Sequence, residues 1–331
     1  MSIAIDAMGG DNAPQAIVEG VLLAAPEMRM PLHLVGDLAV LKPLLPSTLP
    51  SNVFLRHATQ VVTMEDKPTD AYRKKKDSSL MVATRMIKDG EALGLVSAGN
   101  TGATTAFALL TWRQVDGIHR PGIVSLFPNK HGGFVLLDAG ASPDAEPHNL
   151  VQFAVLGRAY SERLYGRKNP KVHLLNVGEE EGKGNAVAKQ TFDLLKQYPW
   201  FAGNIEGKDM FFEPCDVVIC DAFTGNIVLK ACEGLAELIV SVIKENVPDH
   251  PLMRPLYWPV RQVMEPLRKD MDYAEIGGSP LLGLNGICMI CHGRSNSRAI
   301  KNALLLTQRG IESDLMGRIR ETVSRDILHT S

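Results

Sequence analysis

The sequence predicts an α/β protein, with helices on both faces of its sheet and two lobes flanking a cleft. Three observations predict it. Strand-like runs alternate with helix-like runs along almost the whole chain, the pattern that builds parallel or mixed sheets. Several of those strand-like runs are apolar without interruption, as strands covered on both faces are. About ten strand candidates are many for one sheet, which favours two lobes within a single domain spanning residues 1–331.

SIAID (2–6) opens the sheet and passes into the small-residue loop from Asp6 to Asp11. A helix over 13–25 leads to LHLVG (32–36) and VFLRH (53–57). A helix over 78–89 precedes LGLVS (93–97), and another over 102–114 follows it. GIVSLF (122–127) and FVLLD (134–138) come before a long helix over 148–166. VHLLNV (172–177) is followed by a helix over 185–197, then by MFF (210–212) and DVVICD (216–221). The longest helix covers 225–247, and GICMIC (286–291) is the last strand, with helices over 296–309 and 312–328 behind it.

Composition removes several function classes. Hydrophobic residues make up 45% of the chain and charged residues 22%, as in ordinary soluble domains. A net charge of −2 and an aromatic content of 6% argue against nucleic-acid binding. MSIAIDAMGG has no basic stretch before an apolar core, so the sequence predicts no secretory signal and a cytoplasmic protein. Five cysteines, without disulfide spacing, suit a reducing compartment. Cys288, Cys291 and His292 match the C-x-x-C-H spacing of haem attachment, but the apolar run around them reads as a buried strand.

Ligands of α/β folds bind where strands end. Six strand ends here carry Gly, Asp, Asn, Ser or Thr: Asp6–Asp11, Ser97–Thr101, Asp138–Gly140, Asn176–Asn185, Asp221–Asn226 and His292–Asn296. In LGLVSAGNTGATTAFALL (93–110), Ser97, Asn100, Thr101 and Thr104 offer hydroxyls and an amide at a helix start. The loop lacks both the Lys–Ser/Thr pair of a nucleotide loop and the dinucleotide glycines, which leaves a small anion or an ordinary helix start. In CDVVICDAFTGNIVLK (215–230), Asp221 reads as a general acid or base, or as a loop cap ahead of Thr224, Gly225 and Asn226. Lys183 lies between two glycines, and is either a point charge for a phosphate or oxyanion or an exposed surface lysine. In HGRSN (292–296), His292 can protonate a leaving group and Arg294 can grip phosphate. The alternative is a strand-end histidine before a helix capped by Ser295.

Taken in order, DAMGGD (6–11), SAGNTGA (97–103), RPG (120–122), LDAGA (137–141), GEEEGKGN (178–185), CDVVICDAFTGNIVLK, GGSPLLGLNG (277–286) and HGRSN resemble the bacterial acyl-[acyl-carrier-protein]:phosphate acyltransferases over nearly the whole chain. Asp221, Gly225 and Asn226 are also similar to a D-x-x-x-G-N segment of phosphate acetyltransferases. The resemblance implies a two-lobed α/β/α sandwich of the isocitrate/isopropylmalate dehydrogenase-like, phosphate acetyltransferase-like fold. It also implies transfer of a long-chain fatty acyl group from carrier-protein thioester to inorganic phosphate, giving acyl phosphate for phospholipid synthesis. Phosphate is itself the nucleophile, which agrees with the lack of a G-x-S-x-G elbow. On this reading Asp221, Lys183 and His292 are the catalytic candidates. Ser97, Asn100, Thr101, Asn185, Thr224, Asn226, Arg294, Ser295 and Asn296 are the phosphate and substrate contacts. No metal and no cofactor is called for.

The implied partners are acyl carrier protein, inorganic phosphate and a second copy of the chain. Arg73–Lys76 is a candidate docking patch for an acidic carrier protein, or a solvated helix start. Residues 234–269 read as a helical arm. Within it Arg254, Arg261 and Arg268 recur every seven residues beside an apolar stripe, while Pro255, Pro259 and Pro266 break any continuous helix. Dimer contact ranks first for this arm and a membrane surface second. Rival functions are a short-chain acyltransferase using acyl-CoA and, in another class, an NAD-dependent decarboxylating dehydrogenase on the same architecture.

Overall fold

The computed structural model describes residues 1–246, 275 and 277–328. Among the described residues eleven strands form one sheet in the order β3-β2-β1-β4-β11-β10-β5-β6-β9-β7-β8. They are β1 Ile3–Asp6, β2 Leu32–Gly36, β3 Val53–His57, β4 Gly94–Ser97, β5 Gly122–Phe127, β6 Phe134–Leu137, β7 Val172–Asn176, β8 Phe201–Glu206, β9 Val217–Ile219, β10 Ser279–Leu282 and β11 Ile287–Ile290. The helices are α1 Gln15–Ala24, α2 Leu38–Leu41, α3 Pro68–Lys74, α4 Ser79–Lys88, α5 Thr101–Trp112, α6 Pro147–Tyr165, α7 Ala186–Leu195, α8 Ala222–Asn246, α9 Ser297–Glu312 and α10 Leu315–Val323.

The sheet has two parallel wings. In one, β3, β2, β1, β4 and β11 run together; in the other, β6, β9, β7 and β8 do. Between them β10 and β5 pair antiparallel to each other and to their outer neighbours. Three successive antiparallel pairings reverse direction overall. The second wing therefore runs opposite to the first, and its strands end at the other edge of the sheet.

The continuously apolar runs are central strands for the reason expected: β1, β4, β6, β9 and β11 are buried at every residue. Alternate side chains feed opposite faces. Ile3, Ile5, Val96 and Met289 pack with α1 and α9, whereas Ala4, Leu95, Cys288 and Ile290 pack with α4 and α5. In the second wing α6, α7 and α10 cover one face. On the other face the start of α8 meets Phe127, Phe134 and Val218.

Several expectations need correction. MFF (210–212) is not a strand; Asp209–Phe211 form a 3-10 turn, with Asp209 accepting from the Phe212 and Glu213 amides through its carbonyl. Residues 201–206 and 279–282 carry the strands β8 and β10 that pattern reading passes over. β8 contains Gly203 and Asn204 at the sheet edge, and β10 contains Pro280, both strand-weakening signals. The basic run Arg73–Lys76 ends a helix rather than starting one. Lys75 pairs with Asp66, and Lys76 lies over the Tyr72 ring. The thiols of Cys288 and Cys291 are sealed in the core, where burial pushes the Cys291 group up to about 12. That makes them packing residues. Of the proposed arm only 234–246 falls within the described residues; the segment 252–269 lies outside them. Among the described residues no helix is long and apolar enough to cross a membrane.

Candidate functional site

Three neighbouring parallel strands, β1, β4 and β11, end side by side, about 4.8 Å apart. Their registers place Asp6 opposite Ser97 and Ser97 opposite Ile290. The loops that follow therefore share one platform. Asp6 is 2% exposed. Its carboxylate accepts from Ser79 Oγ at 2.6 Å, Ser97 Oγ at 2.9 Å and the Met8 amide at 3.3 Å. Burial pushes the carboxyl above its ordinary value, and these donors pull against the rise. Ser97 in turn accepts from the Gly99 amide at 3.2 Å. Gly9 and Gly99 meet backbone to backbone, and a Cβ on Gly9 would collide with the Asp6 carboxylate.

Asn100 caps α5, accepting from the Ala103 amide at 2.9 Å and donating to the carbonyls of Met64 and Asp66. Asn296 caps α9 in the same way through Ala299. Thus Asn296, not Ser295, is the cap; Ser295 is buried. The first amides of each helix, Thr101 and Gly102 in α5 and Ser297 and Arg298 in α9, have no protein acceptor among the described residues. α5 lies on one face of the sheet and α9 on the other. Adjacent strands that send helices to opposite faces open a crevice at their carboxyl ends, with two helix N-termini around it. Asn12 ties the crevice together by donating to the carbonyls of Arg294 and Ser295. Arg294 is exposed at the rim. Its amide donates to His292 Nδ1 at 3.1 Å, so the neutral imidazole carries its proton on Nε2.

The second platform stands at the opposite edge, after β6 and β9. Asp138 is fully buried. It accepts from the amides of Ile123, Gly140 and Ala141 at 2.9 Å each and from Ser142 at 2.7 Å. Burial raises this carboxyl as well, against the pull of those amides. The Asp138 carbonyl presses on α8 where Gly225 stands, and any side chain there would overlap it. Asp221 caps α8: one oxygen accepts from the Thr224 amide at 2.9 Å and the other from Thr224 Oγ1 at 2.8 Å. The helix begins at Ala222, so Thr224, Gly225 and Asn226 lie in its first turns rather than in a loop. After β7, on the same edge, Asn185 caps α7 through the Ala188 amide. Lys183 is half exposed and 3.8 Å from Glu180 Oε1.

The structure thus brings Asn100, Thr101, His292, Arg294 and Asn296 together, with Ser97 beneath them turned inward to Asp6. It brings Asp221, Thr224 and Asn226 together at the other edge, with Lys183 and Asn185 in the loop after the neighbouring strand β7. It does not bring the catalytic candidates Asp221 and Lys183 to His292; strands of four residues, about 13 Å, separate the two edges. Pattern reading marks Asp6 and Asp138 only as members of strand-end loops, without a role, and misses Asn12, Ser79 and Ser142 as site builders. Among the described residues no group of three or more His, Cys, Asp or Glu side chains gathers to hold a metal ion.

The model of the fatty acid synthesis protein family matches residues 1–318. The chain is 45% identical over 328 residues to the phosphate acyltransferase of Desulfitobacterium hafniense, covering 98% of each chain. It is 42% identical over 329 residues to that of Geobacter sulfurreducens, covering 98% of this chain and 95% of that one. Among solved structures it is similar to a phosphotransacetylase from Streptococcus pyogenes, with TM-score 0.62, 18% identity and 94% of each chain covered. A branched-chain phosphotransacylase from Enterococcus faecalis gives TM-score 0.54 at 11% identity, over 94% of this chain and 99% of that one. These two likenesses establish a shared α/β fold.

Proposed function

This chain belongs to the phosphate acyltransferases of the fatty acid synthesis protein family, enzymes that move an acyl group onto phosphate, and from that premise we propose where and on what it acts. The acyl donor is a long-chain thioester of acyl carrier protein, and the acyl phosphate formed feeds phospholipid synthesis. Inorganic phosphate binds in the crevice after β4 and β11. The observation that carries this placement is the pair of helix N-termini. Four amides without protein acceptors among the described residues, at Thr101, Gly102, Ser297 and Arg298, open onto the small-residue loops after β1 and β4, with the exposed Arg294 beside them. Such amides and helix dipoles favour an anion without any nucleotide motif.

In the reaction a phosphate oxygen bonds to the thioester carbonyl carbon, and the carbon–sulfur bond breaks. The proton that hydrogen phosphate loses as it attacks ends on the departing sulfur; His292 Nε2–H donates a hydrogen bond to that sulfur as charge develops on it, while Arg294 and the helix amides balance the phosphate and the tetrahedral oxyanion. Asp221, Thr224, Asn226, Lys183 and Asn185 belong to the carrier side of a cleft between the wings, facing the long pantetheine arm. α8 starts among them and runs back toward the phosphate edge, and Leu229 packs in the same cluster as Phe107 of α5.

A second copy of the chain covers α8. Phe223, Ile227, Leu235, Leu238, Ile239 and Val242 are exposed along it, and an apolar helix surface of this length calls for a partner. Peripheral membrane contact by the basic segment 252–269 is the second-ranked proposal, after dimer contact. The test is thiol release from long-chain acyl carrier protein. Release should require phosphate and should be far slower from acetyl-CoA. Phosphate-independent release would refute the reading, and faster turnover of acetyl-CoA would make this a short-chain enzyme.

A further inference from the structure

We infer that Asp6 is a positioning residue for phosphate: its sealed carboxylate sets the loop that presents the Thr101 and Gly102 amides, without touching the ligand. The inference rests on placing phosphate in the crevice after β4 and β11. Three distant segments converge on this one carboxylate. Ser79, the first residue of α4, donates to Oδ1, and Ser97, the last residue of β4, donates to Oδ2. The Met8 amide donates from the carboxylate's own loop. The N-terminus of α4 also points its dipole at the charge.

The hold passes to the phosphate loop in two ways. Ser97 Oγ, fixed by Asp6, accepts from the Gly99 amide, so the turn into α5 is hung from the carboxylate. Gly9, pressed on Asp6, packs directly against Gly99. Asn100 follows at once and caps α5. Rotation of the Ser97–Gly99 turn would swing the first two helix amides away from a common point. At 2% exposure Asp6 itself cannot reach a substrate, so its effect is transmitted through Ser97.

Ser79 gives the cleanest perturbation. Ser79→Ala removes one anchor of Asp6 from a helix that contributes nothing to the phosphate amides. The matched control is Ser2→Ala, which deletes an equally buried hydroxyl, bonded to the Glu91 carbonyl at 2.6 Å, at the far end of β1. For Ser79→Ala the KM for phosphate should rise about fivefold, the effect of one hydrogen bond. The kcat at saturating phosphate and the KM for the acyl donor should stay within about twofold of wild type, because both substrates meet the same chemistry once phosphate is seated. Asp6→Asn should raise the phosphate KM by about tenfold or more, since an amide nitrogen replaces one acceptor. Ser2→Ala should leave all three constants in place.

A second readout needs no turnover: the rise in melting temperature on adding inorganic phosphate should shrink in Ser79→Ala and persist in Ser2→Ala. If wild type responds to phosphate but Ser79→Ala responds equally, Asp6 is only a structural anchor and the inference is wrong. A parallel rise in both KM values for Ser79→Ala would likewise overturn it. If wild type shows no phosphate response at all, the placement of phosphate falls first and takes this inference with it.

Discussion

The two wings of the sheet each end a central strand in a buried aspartate that carries a small-residue loop, yet they satisfy that charge differently. Asp6 takes two of its hydrogen bonds from serine hydroxyls on other segments, whereas Asp138 takes all four of those described here from backbone amides of its own neighbourhood. Hydroxyls can rotate and re-pair; backbone amides locked into one turn cannot. The Asp138 platform is therefore a rigid seat for α8, and the Asp6 platform is an adjustable one beneath the crevice proposed for phosphate.

The largest expected effect falls on the rigid platform. Asp138→Ala leaves four amides without their acceptor, two of them buried, and should cost about 3 kcal/mol or more, read as a lower denaturation midpoint or loss of soluble protein. Asp6→Ala should cost less, because its serines can find other acceptors. An equal loss would erase the distinction between the platforms. Next comes Gly225→Ala, whose Cβ would overlap the Asp138 carbonyl. It should cost about 2 kcal/mol and lift the start of α8 off the 138–142 loop. Unchanged stability would show that the loop yields, contrary to a rigid seat.

The pH dependence is subtler. Burial raises both carboxyls above their ordinary value. A group raised on folding contributes stability that is complete below its unfolded pKa and is lost as pH rises through the folded one. Asp138→Asn cannot titrate, so its deficit against wild type should be greatest near about pH 4 and should narrow toward neutrality. Denaturation of both proteins across that range checks the sign; a deficit that widens with pH would mean that the amides outweigh burial. The smallest structural effect belongs to Lys183→Ala. Its side chain is half exposed with one long ion pair, so stability should move by less than about 0.5 kcal/mol. Any large fall in turnover would then report on the carrier side of the reaction.

Much of this arrangement was legible in the sequence. Central strands such as LGLVS and FVLLD announce themselves because burial on both faces demands unbroken apolar residues. The Asp, Asn and Gly that follow are what tight turns and helix starts require. β8 and β10 were hidden because Gly203 at an edge and Pro280 in an antiparallel pair depart from that pattern. The grouping of the six loops was hidden for a deeper reason. A strand's residues reveal where it ends but not which way it points. Insertion of β10 from late in the chain between β11 and β5 reverses the second wing. His292 and Asp221, alike in sequence context, therefore sit at opposite edges. Asp6 and Ser79 are 73 residues apart, and only the fold makes them partners.

The central claim, that phosphate sits between the starts of α5 and α9, is tested most directly by a crystal structure of the enzyme soaked in inorganic phosphate. The account predicts phosphate oxygens about 2.7–3.2 Å from the Thr101 and Gly102 amides, with Arg294 turned toward them. Phosphate found instead at the start of α8, against Thr224 and Asn226, would contradict it.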